Sequence, residues 1–293
     1  VSNDVSVLRR FNRRFTQRIG VLDDRFLGRG RPLGQARLLF EVGRDGASVL
    51  ELRRRLGLDS GYLSRLLRAL EAEGLVAVEA DPDDGRRRVV RLTDLGQAEW
   101  AELDRRSNDL AGRLLEPLTT SQRRSLDQAL TSAERLLLAA TIEFCAVDPL
   151  AEDAVGAMNA YFAELDERFP GGFDPGDAVV GEADHYRPPG GVFVVAYSDA
   201  EVAGCGGVTT LDPGLGEIKR MWIAPGMRGL GLGRRMLAHL EAHSGRLGHT
   251  AVRLDSNSAL SEAISMYRSA GYLEIGRYNE NPYARHWFEK QLS

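Results

Sequence analysis

At 293 residues, with 43% apolar and 27% charged side chains, the chain has the composition of a soluble globular protein and is long enough for two domains, each with its own core. No run of about eighteen apolar residues is present to span a membrane, and the start VSNDVSVLRRFNRRF breaks its apolar residues with arginines, unlike a signal peptide, so a cytoplasmic location is expected. The net charge of −4 hides an asymmetry: 25 Lys plus Arg against 22 Asp plus Glu up to Val147 (+3), then 13 against 20 (−7), which makes the first half the better candidate for a polyanionic partner.

In chain order, Leu8, Phe11, Phe15 and Ile19 recur about one turn apart and predict an arginine-rich amphipathic helix. SVLELRRRLGL opens on a capping box, Ser48 with Glu51, and stops at Gly57. After a short break, YLSRLLRALEAEG places Leu63, Leu66, Leu67 and Leu70 on one face, so the pair reads as a helix-turn-helix. That stripe turns Gly61, Arg65, Arg68 and Ala72 to the opposite side, a face of small residues around two arginines that suits a major groove. LVAVEA and RRRVVRLT flank the turn formers DPDDG and predict a hairpin. Two long helices follow, DLGQAEWAELDRRSNDLAGRLLEPL and TTSQRRSLDQALTSAERLLLAATIEF, separated near Pro117 and restarted by Thr119 with Gln122.

This half resembles the MarR family of winged-helix regulators, most specifically through DPDDGRRRVVRLTDLG, which is similar to the family's wing motif of Asp, paired arginines and Leu-Thr-x-x-Gly. The resemblance implies a homodimer with intertwined first and last helices that presents two recognition helices to a pseudo-palindromic site in double-stranded DNA. Carried over by position, it makes Ser60, Tyr62, Ser64, Arg65 and Arg68 candidate major-groove contacts and Arg86, Arg87 and Arg88 wing contacts, with Asp81, Asp83 and Asp84 as acids that brace the wing.

Beyond CAVDPLAED the pattern changes to helix (AEDAVGAMNAYFAELDERF), loop, and strands GVFVVAYS, AGCGGVTTL and EIKRMWIAP. A glycine turn, a helix (RRMLAHLEAH), strand TAVRLDSN, helix SALSEAISMYRSAG and closing strands YLEIGRY and HWFEKQL complete it. The fold expectation is therefore two domains, a mostly α winged helix-turn-helix over 1–147 and an α/β mixed-sheet domain over 148–293. Cys145 and Cys205 lie far apart without a metal-ligand spacing and read as buried small apolar residues. His239 and His243, one helical turn apart without a third ligand, read as a solvated face, and no metal is expected.

The turn RGLGLG between strand and helix has the chemistry of a phosphate cradle, because glycine lets backbone N–H groups approach and the helix N-terminus favours an anion. A dinucleotide fold is disfavoured: Gly229, Gly231 and Gly233 miss the G-x-G-x-x-G spacing, and fewer than forty residues follow Asp255. Arg228-x-x-Gly231-x-Gly233 in this setting instead resembles the acetyl-CoA pyrophosphate loop of the GNAT superfamily of N-acetyltransferases, over roughly residues 150 to 293.

That resemblance implies a strand splayed from its neighbour, offering the backbone of Met221, Trp222 and Ile223 to the pantetheine arm of acetyl-CoA. The amides of Gly229, Leu230, Gly231, Leu232, Gly233 and Arg234 would wrap the pyrophosphate, with the side chains of Arg228 and Arg234 beside it. LDSNSALSEAISMYRSAGY matches the family's later motif, which makes Asn257 a cofactor contact and Tyr267 the acid that protonates the leaving thiolate; Glu217 is the candidate base. The acceptor is expected to be a small primary amine, amino-acid-like, held by Tyr161, Arg220, Arg277, Tyr278 and Asn281. Two functions compete: an N-acetyltransferase whose helical half chiefly dimerises it, with DNA binding weak or lost, and a regulator whose acetyltransferase half senses or inactivates a metabolite; both activities are expected, the alternative being a half that only senses acetyl-CoA or a metabolite without turnover.

Overall fold

Side chains written into the sequence set the helix ends of the N-terminal unit. In the computed structural model, which describes residues 3–20, 26–81, 87–176 and 181–292, this unit contains α1 (Asn3–Arg18), α2 (Leu33–Val42), β1 (Ala47–Ser48), α3 (Val49–Leu56), α4 (Ser60–Ala72), β2 (Val76–Ala80), β3 (Arg88–Leu92) and α5 (Asp94–Leu115). Ser48 Oγ accepts from the Glu51 amide at 3.1 Å and the Glu51 carboxylate accepts from the Ser48 amide at 2.8 Å, the expected capping box; Gly57 ends α3 at φ 60°. Asp59 caps α4 by accepting from the Tyr62 amide at 2.9 Å. Leu63, Leu66, Leu67 and Leu70 are buried against Leu38, Leu39 and Leu52. Helix α2 was not among the expected helices: Pro32 stands at its N-cap without a side-chain bond, so the usual start signal is missing.

Strands β2 and β3 form the expected hairpin, in register from Val76↔Leu92 to Ala80↔Arg88, with β1 on the other edge of β3. Its tip, with Asp83, Asp84 and the wing candidate Arg86, lies outside the described residues. The Leu-Thr-x-x-Gly run that follows has a mechanical explanation. Thr93 caps α5 by accepting from the Gly96 amide at 3.0 Å, donates its hydroxyl to the Gly74 carbonyl at 2.6 Å, and bonds Leu75 O through its own amide at 3.1 Å. This clamp brings α5 so close to the start of β2 that a Cβ on Gly96 would stand 1.9 Å from Leu75 O. Gly96→Ala is therefore expected to destabilise the unit by about 2 kcal/mol or more, read as a lowered denaturant midpoint of its unfolding transition.

Helix α6 (Thr120–Ala140) restarts on the reciprocal Thr119 and Gln122 cap, as expected, but stops short of the expected end at Phe144. Glu143–Val147 is instead a strand, β4, paired antiparallel with β5 (Gly191–Ser198) from Glu143↔Tyr197 to Val147↔Phe193. The chain forms two compact units, Val1–Gln128 and Ala129–Ser293.

The second unit continues with α7 (Glu152–Arg168), β6 (Glu201–Asp212), β7 (Leu215–Ile223), α8 (Leu232–Arg246), β8 (Ala251–Ser256), α9 (Ser261–Ser269), β9 (Leu273–Ile275) and β10 (His286–Gln291). Among the described residues its sheet runs β4-β5-β6-β7-β8-β10-β9, antiparallel except for the β7–β8 pair. Helix α7 covers one face, packing Ala154, Met158 and Phe162 on Phe193, Val195 and Cys205. Helix α8 covers the other, packing Met236, Leu237 and Leu240 near Val194, Val208, Val252 and Phe288. Both faces of β5 are thus buried, which is why its sequence is nearly all apolar.

Cys205 is buried as expected, but Cys145 is only half-buried, and His239 and His243 are half-buried as well, His239 stacking on Phe144 at 4.8 Å, so neither histidine is on a solvated face. Among the described residues no group of His, Cys, Asp or Glu is arranged to hold a metal ion, and no helix is long and apolar enough to cross a membrane.

Candidate active site

The parallel pairing of β7 with β8 covers only Leu215↔Ala251, Gly216↔Val252 and Glu217↔Arg253. Beyond Glu217 the strands separate, β7 continuing beside β6 and β8 beside β10. A bulge drives the separation: Arg220 and Met221 together face Gly206, and Arg220 sits at φ 57°, a left-handed conformation that costs a residue with a Cβ about 1 kcal/mol. Met221, Trp222 and Ile223 therefore lie on the splayed end of β7, as expected. The Ile223 carbonyl accepts from Arg228 Nε at 2.9 Å.

The glycine turn leads from β7 into α8. Gly229 and Gly231 each take φ 77°, which glycine adopts freely, and Gly231 is the N-cap. Among the described residues none of the amides of Gly229, Leu230, Gly231, Leu232, Gly233 and Arg234 has a protein acceptor; the next amide, that of Arg235, returns to Gly231 O. The last three are orphans of any helix start, and the first three belong to the turn that precedes it. A Cβ on Gly233 would meet Met266 Sδ at 3.2 Å, so this glycine also lets α8 approach α9.

The arginine side chains of the turn are placed differently from expectation. The Arg228 guanidinium is tied to the Glu164 carboxylate, which also accepts from Trp222 Nε1 at 2.8 Å and Arg168 at 3.2 Å. Burial pushes the Glu164 pKa up, but the Arg228 and Trp222 hydrogen bonds outweigh it and hold the carboxyl below its ordinary value. Arg228 thus braces the turn against Glu164 and Ile223 O. Arg234 donates to Ser269 Oγ at 2.9 Å. A brace that sequence reasoning missed comes from α6, where Arg135 donates to Gly226 O at 3.1 Å and to Arg228 O. Its contact lies about ninety residues away along the chain, and one arginine among many carries no local signal.

The splay opens on a cavity of about 520 Å³ whose walls include Tyr161, Phe169, Phe173, Arg220, Met221, Asp255, Asn257, Tyr267, Asn279, Asn281 and Tyr283. Tyr267 is 7% exposed, with its ring 5.9 Å from Tyr272 and 6.0 Å from Phe288, and its hydroxyl has no hydrogen-bond partner among the described residues. Burial, then the charge of Asp255, pushes its phenol well above the ordinary tyrosine range, so it stays protonated. Asn257 spends its side chain locally, donating to Tyr283 O at 2.6 Å and accepting from the Ala259 amide at 2.9 Å.

Glu217 is 4% exposed and does not line the cavity. Its Oε1 accepts from Tyr278 Oη at 2.8 Å and Asn279 Nδ2 at 3.3 Å, and its Oε2 lies 3.2 Å from Lys219 Nζ. Asn279 Nδ2 also donates to Asp255 Oδ2 at 2.6 Å, while Asn281 Nδ2 donates to Asp255 Oδ1 at 2.9 Å. Asp255, which the sequence reading did not place in the site, is thus a carboxylate on the cavity wall held by two neutral side-chain amides.

Of the expected acceptor contacts, Tyr161, Arg220 and Asn281 line the cavity. Tyr278 is drawn back onto Glu217, and Arg277, which does not line the cavity, pairs with Glu280 at 2.6 Å. On α4, Tyr62, Ser64, Arg65 and Arg68 are exposed, Arg65 and Arg68 on the side opposite the leucines, with Ser60 in the first turn; Arg88 Nη2 donates to Val78 O at 3.3 Å within the hairpin, and the Arg87 carbonyl accepts from the Asp81 amide.

Residues 158–272 match the acetyltransferase (GNAT) family and residues 29–87 the MarR family. The chain is 34% identical over 99 residues to an uncharacterized N-acetyltransferase of Schizosaccharomyces pombe, covering 33% of this chain and 61% of that protein. It is 33% identical over 87 residues to an IAA acetyltransferase of Azospirillum brasilense (29% and 57%) and 38% identical over 88 residues to the HTH-type transcriptional regulator TtmR of Methylorubrum extorquens (30% and 44%). In each case the match spans less than two thirds of the relative's length.

Proposed function

We propose, from the match of residues 29–87 to the MarR family and of residues 158–272 to the acetyltransferase (GNAT) family, that the chain is a DNA-binding regulator which also transfers an acetyl group from acetyl-CoA to a small amine. The observation that carries the transferase reading is the run of unpaired amides from Gly229 to Arg234 at the start of α8, beside a splayed strand. Donors at a helix N-terminus that lack a protein acceptor suit a diphosphate, and the hydrogen bonds of Arg135 to Gly226 O and of Arg228 to Ile223 O hold the turn in shape.

When bound, acetyl-CoA supplies the acetyl group as a thioester: a carbon–nitrogen bond forms as the carbon–sulfur bond breaks, the amine losing a proton and the sulfur gaining one. Tyr267 holds the proton for the sulfur at its phenol oxygen. Glu217 and Asp255, joined through Asn279 Nδ2, form the basic side, with Asp255 the member on the cavity wall that takes the amine proton. The bulge at Arg220 keeps the edge of β7 open for backbone pairing.

For the first unit, α4 is the element that enters the major groove, with Arg87 and Arg88 on the wing. The apolar stripe of α1 supports a homodimer: Leu8, Phe11 and Phe15 are all more than two-fifths exposed, and the phenyl rings stack at 5.6 Å. A two-fold dimer would present two copies of α4 to a pseudo-palindromic operator.

The test is free-thiol release from acetyl-CoA by the full chain against pooled amino acids, polyamines and aromatic amines. Release that depends on one pool supports the transferase. Acetyl-CoA binding without release from any pool would reassign the second unit to sensing.

A further inference from the structure

Building on the transferase reading, we infer that the acceptor is an arylalkylamine, a cation with a flat apolar body and no carboxylate, whose ammonium docks on Asp255. The cavity wall carries two cations, and each is already neutralised: Lys219 Nζ by Glu217 at 3.2 Å, and Arg220 by Glu182 at 2.7 Å, with the Arg220 guanidinium also lying over the Phe162 ring at 4.9 Å. Asp255 differs from both. Its two oxygens are held by the neutral side-chain amides of Asn279 and Asn281, and it has no cationic partner among the described residues. Asp174, also on the wall, accepts from the Gly176 amide at 2.9 Å and likewise pairs with no cation there. Neutral donors orient a carboxylate without cancelling its charge, so the cavity keeps a fixed negative charge aimed by two hydrogen bonds.

The cavity also has an aromatic wall. Phe173 lies 4.7 Å from Tyr283 and 5.9 Å, edge-on, from Phe169, and Phe169 lies 6.0 Å from Tyr283. These rings are fixed in place: the Asp174 amide donates to Tyr283 Oη at 3.1 Å, Asn257 holds Tyr283 O, and the Phe173 amide donates to Asp166 at 2.9 Å. A prebuilt aromatic wall takes an aryl group with little ordering cost and also favours a nearby cation through the ring faces. At about 520 Å³ the cavity suits a ligand of this size. An α-amino acid would bring its carboxylate into a space whose uncommitted charges are Asp255 and Asp174. The amino-acid-like acceptor expected from Arg220 and Arg277 is therefore disfavoured, because Glu182 and Glu280 have claimed those arginines.

The experiment titrates phenethylamine and L-phenylalanine, which differ by one carboxylate, into the full chain saturated with coenzyme A, using calorimetry, and measures thiol release with each in parallel. Phenethylamine is expected to bind at least about tenfold more tightly than phenylalanine, and Asp255→Asn to weaken phenethylamine at least about tenfold. Equal or tighter binding of phenylalanine overturns the inference, and so does unchanged phenethylamine affinity in a folded Asp255→Asn. The comparison of the two ligands uses the unaltered chain, so it stands if the variant does not fold. Selective binding of phenethylamine without thiol release would sustain the cavity's specificity and remove the transferase reading. Thiol release with other amines and no binding of phenethylamine would do the reverse.

Discussion

Tyr267→Phe is expected to lower the rate constant of acetyl transfer about 10²-fold while leaving the dissociation constant of acetyl-CoA unchanged. The ring packs on Tyr272 and Phe288, contacts that phenylalanine keeps, and the hydroxyl bonds no described residue, so its removal strands no partner and should leave stability nearly unaltered. What is lost is a proton held at the wall of the cavity. Burial and the neighbouring Asp255 raise the phenol's pKa, which keeps that proton in place beyond the ordinary tyrosine range. The unaltered protein should consequently show no fall in rate from this group as pH rises through 10, the usual tyrosine value. Thiol-release kinetics of the two proteins, with acetyl-CoA affinity measured separately, check both statements. An unchanged rate in the variant would remove the phenol as the proton donor.

The parts of this site legible in the sequence are those whose cause is local. Gly229 and Gly231 take positive φ, and the helix starts where the periodicity of RRMLAHLEAH starts, so the turn's amides follow from a few adjacent residues. The capping boxes at Ser48 and Thr119 and the leucine face of α4 are legible for the same reason. Partnerships made by the fold were not. Arg228, Arg220 and Arg277 read alike as available cations, yet the first two are tied to Glu164 and Glu182, acids 64 and 38 residues away. Asp255 became part of the site only when β10 returned beside β8 and laid Asn279 and Asn281 against it. Strand β4 was missed because EFCAV continues an apolar run already read as helix. What turns it into a strand is the free edge of β5, which sequence periodicity does not display.

Reversing both Arg65 and Arg68 to Glu is expected to weaken duplex binding at least about 10³-fold while acetyl transfer proceeds at the unaltered rate. Both arginines are exposed on the face of α4 opposite its buried leucines. Arg65 lies over the Tyr62 ring at 5.6 Å, Arg68 Nε donates back to Ser64 O at 3.1 Å, and neither pairs with an acid among the described residues. Reversal therefore breaks no ion pair of the fold, and the stability change should stay near the ±0.5 kcal/mol of ordinary surface substitutions. Against DNA the effect is large, because each protomer exchanges two attractions for two repulsions at phosphates and a dimer counts them twice. The check is fluorescence anisotropy at several salt concentrations, using a duplex that the unaltered chain selects from random sequence. The variant should lose affinity and show a shallower salt slope. Undiminished binding would remove α4 as the reading helix, and joint loss of duplex binding and acetyl transfer would show that the two activities do not reside in separate units.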